Sequence, residues 1–286
     1  MLRPVRPRRS ALFMPASNAR ALEKARGLAA DVIILDLEDA VAPDAKDLAR
    51  RQAVEAVAAG GYGHRELVVR INGLDTDWGA QDLRAMTAQP PPALLLPKVE
   101  TVAAVRTAVQ LLPESIDLWC MIETPLGVVN VNAIADCSRR VRCLVAGTSD
   151  LSADLRVRDR VDRMPLIASL SACVLAARAH GQCVLDGVYL ALDDPDGFRA
   201  VCEQGRDLGF DGKTLIHPSQ LAPCNAVFSP DAEAVAHARA VVAAFEAAEA
   251  RGEGMVVLNG RLVENLHVKA AQDLLALADA IEKAQA

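Results

Sequence analysis

Two acidic residues, Glu123 and Asp150, follow consecutive apolar runs at residues 118–122 and 144–146. Carboxylates on adjoining strands form a donor set suited to Mg²⁺, which prefers oxygen ligands, keeps several waters and commonly takes one or two carboxylates from a protein. Singly, each acid has a plainer explanation: Glu123 complements the dipole of the helix after it, and Asp150 caps a turn. Their pairing on one rim is what points to a metal. Arg70, in Arg70-Ile71-Asn72-Gly73, ends another apolar run. A guanidinium there can hold an oxyanion or a carboxylate through two parallel hydrogen bonds. It can equally pair with Asp36 or Glu38, and a paired arginine is also an oriented one. Asp36, Glu38 and Asp39 crowd the end of a fourth run. Three carboxylates so close repel one another unless Arg70, Lys98 or a metal offsets them. The two-residue strand period places Asp36 and Glu38 on one face and leaves Asp39 to begin the loop. His217-Pro218 follows the last of these runs, where it either binds a phosphate or shapes a wall.

The elements that must position these residues follow a regular rhythm. Eight apolar runs, from Ala11-Leu12-Phe13-Met14 to Thr214-Leu215-Ile216, alternate with helix-like stretches and end in polar residues such as Asp36, Arg70, Lys98, Glu123, Asp186 and His217. Alternation of this kind predicts βαβ units and a parallel sheet. Eight units predict a (β/α)8 TIM barrel whose strand ends share one rim, where such enzymes keep their chemistry. Helix starts are expected at Ser17, at Thr124-Pro125 and at Pro165. Beyond the barrel, a helix is expected over residues 231–251, then a hairpin turning at Asn259-Gly260, then a helix over 266–283. The expected organisation is a barrel over residues 1–225 and a helix–hairpin–helix extension over 226–286, acting as a lid or as an arm reaching a neighbouring subunit.

Composition narrows the partners. The chain has 286 residues, long for the prior of about 150 per domain but ordinary for a barrel. With 3% aromatic residues and a net charge of −6, it has neither the stacking platform nor the basic field of a nucleic-acid binder. No apolar stretch is long enough to span a bilayer. Arg3, Arg6, Arg8 and Arg9 precede no long apolar core, so they read as a solvated tail or a phosphate contact rather than a secretory signal. Seven cysteines without a CxxC pair read as free thiols in a reducing, cytoplasmic setting. The histidines show no HExxH spacing, which argues against zinc.

The ordered stretches Arg9-Ser10-Ala11-Leu12-Phe13-Met14-Pro15-Ala16, Asp36-Leu37-Glu38-Asp39-Ala40-Val41, Val69-Arg70-Ile71-Asn72-Gly73, Leu96-Pro97-Lys98-Val99-Glu100, Ile122-Glu123-Thr124-Pro125, Gly147-Thr148-Ser149-Asp150 and Gly212-Lys213-Thr214-Leu215-Ile216-His217-Pro218 together resemble the citrate lyase β-subunit and malyl-CoA lyase family, within the HpcH/HpaI aldolase group. The resemblance implies a Mg²⁺-dependent barrel acting on a 3-hydroxyacyl thioester of coenzyme A or of an acyl-carrier protein. It implies Glu123 and Asp150 as metal ligands and Arg70 as the group that polarises the reacting oxygen. Phe13, Arg20, Lys24, Ile216 and His217 are implied as carrier contacts, alongside Arg70 and Glu123. It implies a homotrimer or hexamer whose C-terminal segment covers a neighbour's site. Relatives often carry an aspartate acid/base at the end of the hairpin; the matching residue here is Glu264.

The catalytic candidates are therefore Arg70, Glu264 and Asp36. The expected reaction is reversible carbon–carbon cleavage of a malyl-, citramalyl- or citryl-type thioester into an acetyl thioester and a 2-oxo acid. The alternatives are thioester hydrolysis at the same site, a metal aldolase acting on free acids, and a non-catalytic assembly subunit.

Overall fold

The computed structural model describes residues 5–158, 160–250, 252 and 254–285. Arg3 and Arg251 lie outside the described residues. The chain divides into two compact units, residues 8–228 and residues 1–7 with 229–286.

The first unit contains eight parallel strands: β1 (Ser10–Pro15), β2 (Val32–Asp36), β3 (Glu66–Arg70), β4 (Ala93–Leu96), β5 (Asp117–Ile122), β6 (Val141–Ala146), β7 (Cys183–Asp186) and β8 (Gly212–Leu215). Each pairs with its sequence neighbour, and β8 pairs back onto β1 to close the barrel. Among the described residues, nine α-helices accompany them: α1 (Ala19–Ala25), α2 (Lys46–Ala59), α3 (Asp77–Ala88), α4 (Val102–Leu111), α5 (Pro125–Asp136), α6 (Thr148–Leu155), α7 (Ile167–Ala179), α8 (Pro195–Leu208) and α9 (Leu221–Phe228). The barrel and its C-terminal helix–hairpin–helix are the architecture the sequence rhythm predicts.

Alternation along the strands divides the core. Phe13, Ile34, Val68, Leu95, Trp119, Met121, Val145 and Leu185 fill the barrel interior. Leu12, Ile33, Leu35, Val69, Leu94 and Leu144 pack outward with the helices. Both strand faces are buried, so the strands read as continuous apolar runs. Several helix starts are fixed by threonine caps; Thr76, Thr101 and Thr124 each accept from the amide three residues on. Thr124-Pro125 opens α5 as expected. Elsewhere the starts differ: α1 is capped by Asn18, not Ser17, and Pro165 sits in a 3₁₀ turn over 164–166 ahead of α7.

Two charged groups differ from expectation. Arg8 and Arg9 are not a solvated tail or a phosphate contact. Arg8 forms two bonds to Glu66, at 2.7 and 3.0 Å, and lies 4.9 Å over the Trp119 ring. Arg9 is buried and paired with Asp31 at 2.7 Å. Asp186, expected among the rim residues, instead pairs with Lys213 at 2.9 Å and with Arg163 at 2.8 Å, on the outward face of β7 and β8. Its sequence neighbour Leu185 holds the inward position, so strand alternation turns Asp186 away from the interior.

The second unit holds α10 (Ala232–Glu249), the antiparallel strands β9 (Val256–Leu258) and β10 (Arg261–Val263), and α11 (Asn265–Gln285). Asn259 and Gly260 take φ values of 51° and 75°, as a two-residue hairpin turn requires. Ala238, Val241, Phe245, Val263, Val268 and Ala271 form its core.

Candidate active site

Residues in the C-terminal part of β1, β2, β3, β5 and β6, or just beyond β2, β5, β6, β7 and β8, come together around a cavity of about 310 Å³. Asp36, Asp39, Arg70, Glu123 and Asp150 line it, with Phe13, Met121, Val188, Leu190 and Ile216 as apolar wall.

Glu123 immediately follows β5 and is buried. Its Oε1 accepts a 2.8 Å bond from the Lys98 amide, while Oε2 has no hydrogen-bond partner among the described residues. Burial pushes its carboxyl up to about 7; the Lys98 amide opposes the shift, Asp150 adds to it and Arg70 opposes it. Gly147 makes room for it, since a Cβ there would stand 2.5 Å from Glu123 Oε2. Asp150 differs from expectation: it stands on the first turn of α6, four residues past β6, not at a strand end. Its carboxylate is 41% exposed and lies 3.3 Å from Lys98 Nζ.

Arg70 ends β3. Its Nε and Nη2 bond the two oxygens of Asp36 at 2.7 and 2.6 Å. Nη1 reaches Asp39 at 3.1 Å and lies 2.9 Å from Glu38 Oε2, without hydrogen-bond geometry to the latter. The guanidinium sits 4.6 Å over the Phe13 ring. Asp36 also accepts the amides of Glu38 and Ala40, at 2.9 and 3.2 Å, so both its oxygens are doubly engaged. β2 ends at Asp36. Glu38 therefore does not share its strand face as expected; with Asp39 it belongs to the following turn. Burial pushes the Glu38 carboxyl up to about 8, with Arg70 opposing the shift and Asp39 and Glu123 reinforcing it.

The cavity is therefore rich in acids facing one guanidinium and one ammonium, an imbalance that a divalent cation would correct. No group of three or more His, Cys, Asp and Glu forms a metal cage among the described residues. A two-carboxylate set with a free Glu123 oxygen fits Mg²⁺, which fills the rest of its octahedron with water and substrate.

The HpcH/HpaI aldolase/citrate lyase family pattern matches residues 9–218, the length of this barrel. The chain belongs to this family. Among its relatives, a (3S)-malyl-CoA thioesterase of Cereibacter sphaeroides (strain KD131 / KCTC 12085) is 51% identical over 275 residues, covering 96% of each chain. An L-malyl-CoA/beta-methylmalyl-CoA lyase of Cereibacter sphaeroides (strain ATCC 17025 / ATH 2.4.3) is 36% identical over 307 residues, covering 97% of this chain and 96% of the other. Among solved structures, CitE from Mycobacterium tuberculosis in complex with magnesium, acetoacetate and coenzyme A aligns with a TM-score of 0.77 and 32% identity, covering 94% of this chain and 97% of that one.

Of the candidate residues, the cavity gathers Phe13, Asp36, Arg70, Glu123, Asp150 and Ile216. Arg20 and Lys24 do not line it; they are exposed on α1. His217 does not line it either. Its Nδ1 lies 3.2 Å from the Ser219 amide and 2.8 Å from Ser219 Oγ, capping the 3₁₀ turn over 218–220. Glu264 belongs to the second unit, where its amide donates to His267 Nδ1 at 3.0 Å. Sequence reasoning named Lys98 only as a possible counter-charge. Its amide bond to Glu123 depends on a left-handed backbone, φ 46°, which no residue type at that position announces.

Proposed function

We propose that this chain is a magnesium-dependent enzyme acting on the coenzyme A thioester of a malyl-type 3-hydroxy acid, and that its net reaction is hydrolysis of the thioester. The observation that carries the proposal is the joint presence of Glu123, Asp150 and Arg70 around one cavity. The malyl-CoA thioesterase at 51% identity supports both the substrate and the outcome. CitE from Mycobacterium tuberculosis, solved in complex with magnesium, acetoacetate and coenzyme A, supports the cation and the carrier.

Glu123 and Asp150 would hold Mg²⁺, which supplies Lewis-acid polarisation of a substrate oxygen when bound. Arg70 takes the negative charge that develops on the thioester oxygen as water adds to the carbonyl carbon. Asp36, doubly bonded at both oxygens, orients that guanidinium in advance of the reaction. Asp39, two-thirds exposed, is the partner that leaves Arg70 Nη1 when the substrate arrives. Met121, Val188 and Leu190 keep that side of the cavity apolar, which strengthens each charge interaction within it. As the tetrahedral adduct collapses, the carbon–sulfur bond breaks and the proton given up by the attacking water passes through solvent to the departing sulfur, so the products are coenzyme A thiol and the free hydroxy acid. Phe13, Arg20, Lys24, Ile216 and His217 are proposed as carrier contacts, and a trimer or hexamer as the assembly.

A second reading is carbon–carbon cleavage, favoured by the malyl-CoA lyase at 36% identity. There Glu264 from a neighbouring subunit is the proposed acid/base and Arg70 stabilises a thioester enolate. Incubating the enzyme with malyl-CoA and Mg²⁺ separates the two. Hydrolysis gives malate and free coenzyme A; cleavage gives glyoxylate and acetyl-CoA. Turnover that persists unchanged in EDTA would refute both.

A further inference from the structure

Lys98 touches both proposed metal ligands, and does so in two different ways. It follows β4 in Leu96-Pro97-Lys98-Val99, with a φ of 46° that side-chain-bearing residues rarely adopt. That backbone aims its amide at Glu123 Oε1, 2.8 Å away, and leaves Oε2 unbonded. Its ammonium reaches the second acid, 3.3 Å from Asp150 Oδ2. Strained backbone that persists at a cavity edge is held there by what it positions.

We propose that Lys98 is the built-in counter-cation of the metal pair: its ammonium neutralises Asp150 until Mg²⁺ displaces it, while its amide keeps Glu123 turned so that Oε2 meets the ion. The proposal rests on the reading of Glu123 and Asp150 as Mg²⁺ ligands. A magnesium ion binds a carboxylate oxygen at about 2.0–2.1 Å. The same carboxylate cannot keep an ammonium in its present position without strong repulsion between the cations. The ammonium can move away because the Lys98 side chain is 55% exposed on a flexible stem. Once released, it is free to pair with an anionic group of the incoming substrate. Lys98 thus sets how much free Mg²⁺ the site requires, and couples loading of the ion to the appearance of a free cation at the cavity edge.

The test is Mg²⁺ titration by calorimetry, without substrate, on the full chain. Lys98→Met removes the charge and keeps the stem; Lys98→Gly removes both and suits the positive φ. Arg106→Met, on the exposed face of α4, controls for net charge. Both Lys98 variants are expected to bind Mg²⁺ about two- to five-fold more tightly than wild type, the scale of a partly exposed ion pair. Arg106→Met is expected to match wild type. A wild-type crystal structure with Mg²⁺ should show Lys98 Nζ withdrawn from Asp150 and the Lys98 amide still on Glu123. Unchanged or weaker Mg²⁺ binding in both variants, or an ammonium still seated on Asp150 beside the bound ion, would overturn the proposal while leaving the metal reading intact. A folded wild type that takes up no Mg²⁺ would overturn both.

Discussion

At the rim of the barrel Arg70 faces three carboxylates, Asp36, Glu38 and Asp39. Behind β7 and β8 the ratio is reversed: one carboxylate, Asp186, faces Lys213 and Arg163. Asp39 apart, both clusters are largely buried, and both use short, direct contacts. In the sealed cluster burial alone would raise Asp186, but Lys213 and Arg163 outweigh it and hold the carboxyl below its usual range. In the rim cluster one guanidinium is not enough, and burial pushes Glu38 up to about 8. A closed, cation-rich arrangement holds structure together. An acid surplus that opens on a cavity is an arrangement still short of positive charge. Buried charge alone does not mark a functional site; the unbalanced part of it does.

Substitutions should separate the two clusters. The largest expected effect is on turnover at the rim. Arg70→Lys keeps the charge but loses the paired bonds to Asp36, and should lower kcat about 10²–10³-fold, measured by thiol release from malyl-CoA. In the sealed cluster, Asp186→Asn should leave kcat near wild type in the folded protein and cost about 3–5 kcal/mol of stability by urea unfolding, because two cations lose their partner. Equal effects of the two substitutions on both readouts would erase the distinction.

The pH dependence of stability should also run in opposite directions. Asp186 has a folded pKa below its unfolded value of about 3.9, so its contribution is complete above that pH and is lost as pH falls through the folded value. Glu38 has a folded pKa raised to about 8, so the fold favours its protonated form. Its contribution is complete below the unfolded value of about 4.3 and is lost as pH rises toward the folded one. Unfolding free energies should therefore decline from pH 5 to pH 8 in wild type and decline less in Glu38→Gln. Below pH 4 the acid loss should be smaller in Asp186→Asn. The same slope in Glu38→Gln as in wild type would remove Glu38 from the comparison. The smallest expected effect concerns the exposed cations of α1. Arg20→Ala and Lys24→Ala should each raise KM for malyl-CoA about two- to five-fold, and leave KM for a thioester with a truncated carrier unchanged.

Much of this was legible in the chain. Eight apolar runs announce the barrel because both faces of a parallel strand are buried. Asn259-Gly260 announces its hairpin because few other pairs accept positive φ twice. Glu123 and Arg70 are legible because one directly follows a strand and the other ends one, so strand count places them on the rim. Asp150 is legible from the apolar run before it, but it stands on α6 rather than at a strand end, because a helix that begins two residues after β6 leaves no periodic signal of its own. Asp186 was misread because a strand-terminal acid looks the same whether it faces inward or outward. Only the register, with Leu185 inside, decides that. Lys98 was underestimated because its importance lies in a backbone torsion. The functions of Arg8 and Arg9 were hidden for a different reason: their partners Glu66 and Asp31 are 58 and 22 residues away in sequence.

The central claim is that the acid surplus at the rim exists to hold a divalent cation between Glu123 and Asp150. Mn²⁺ titration followed by electron paramagnetic resonance, on wild type and Glu123→Gln at matched fold stability, tests it most directly. One ion bound per wild-type chain, displaced by Mg²⁺ and lost in Glu123→Gln, is the expected result. Equal Mn²⁺ binding in the two proteins would contradict it.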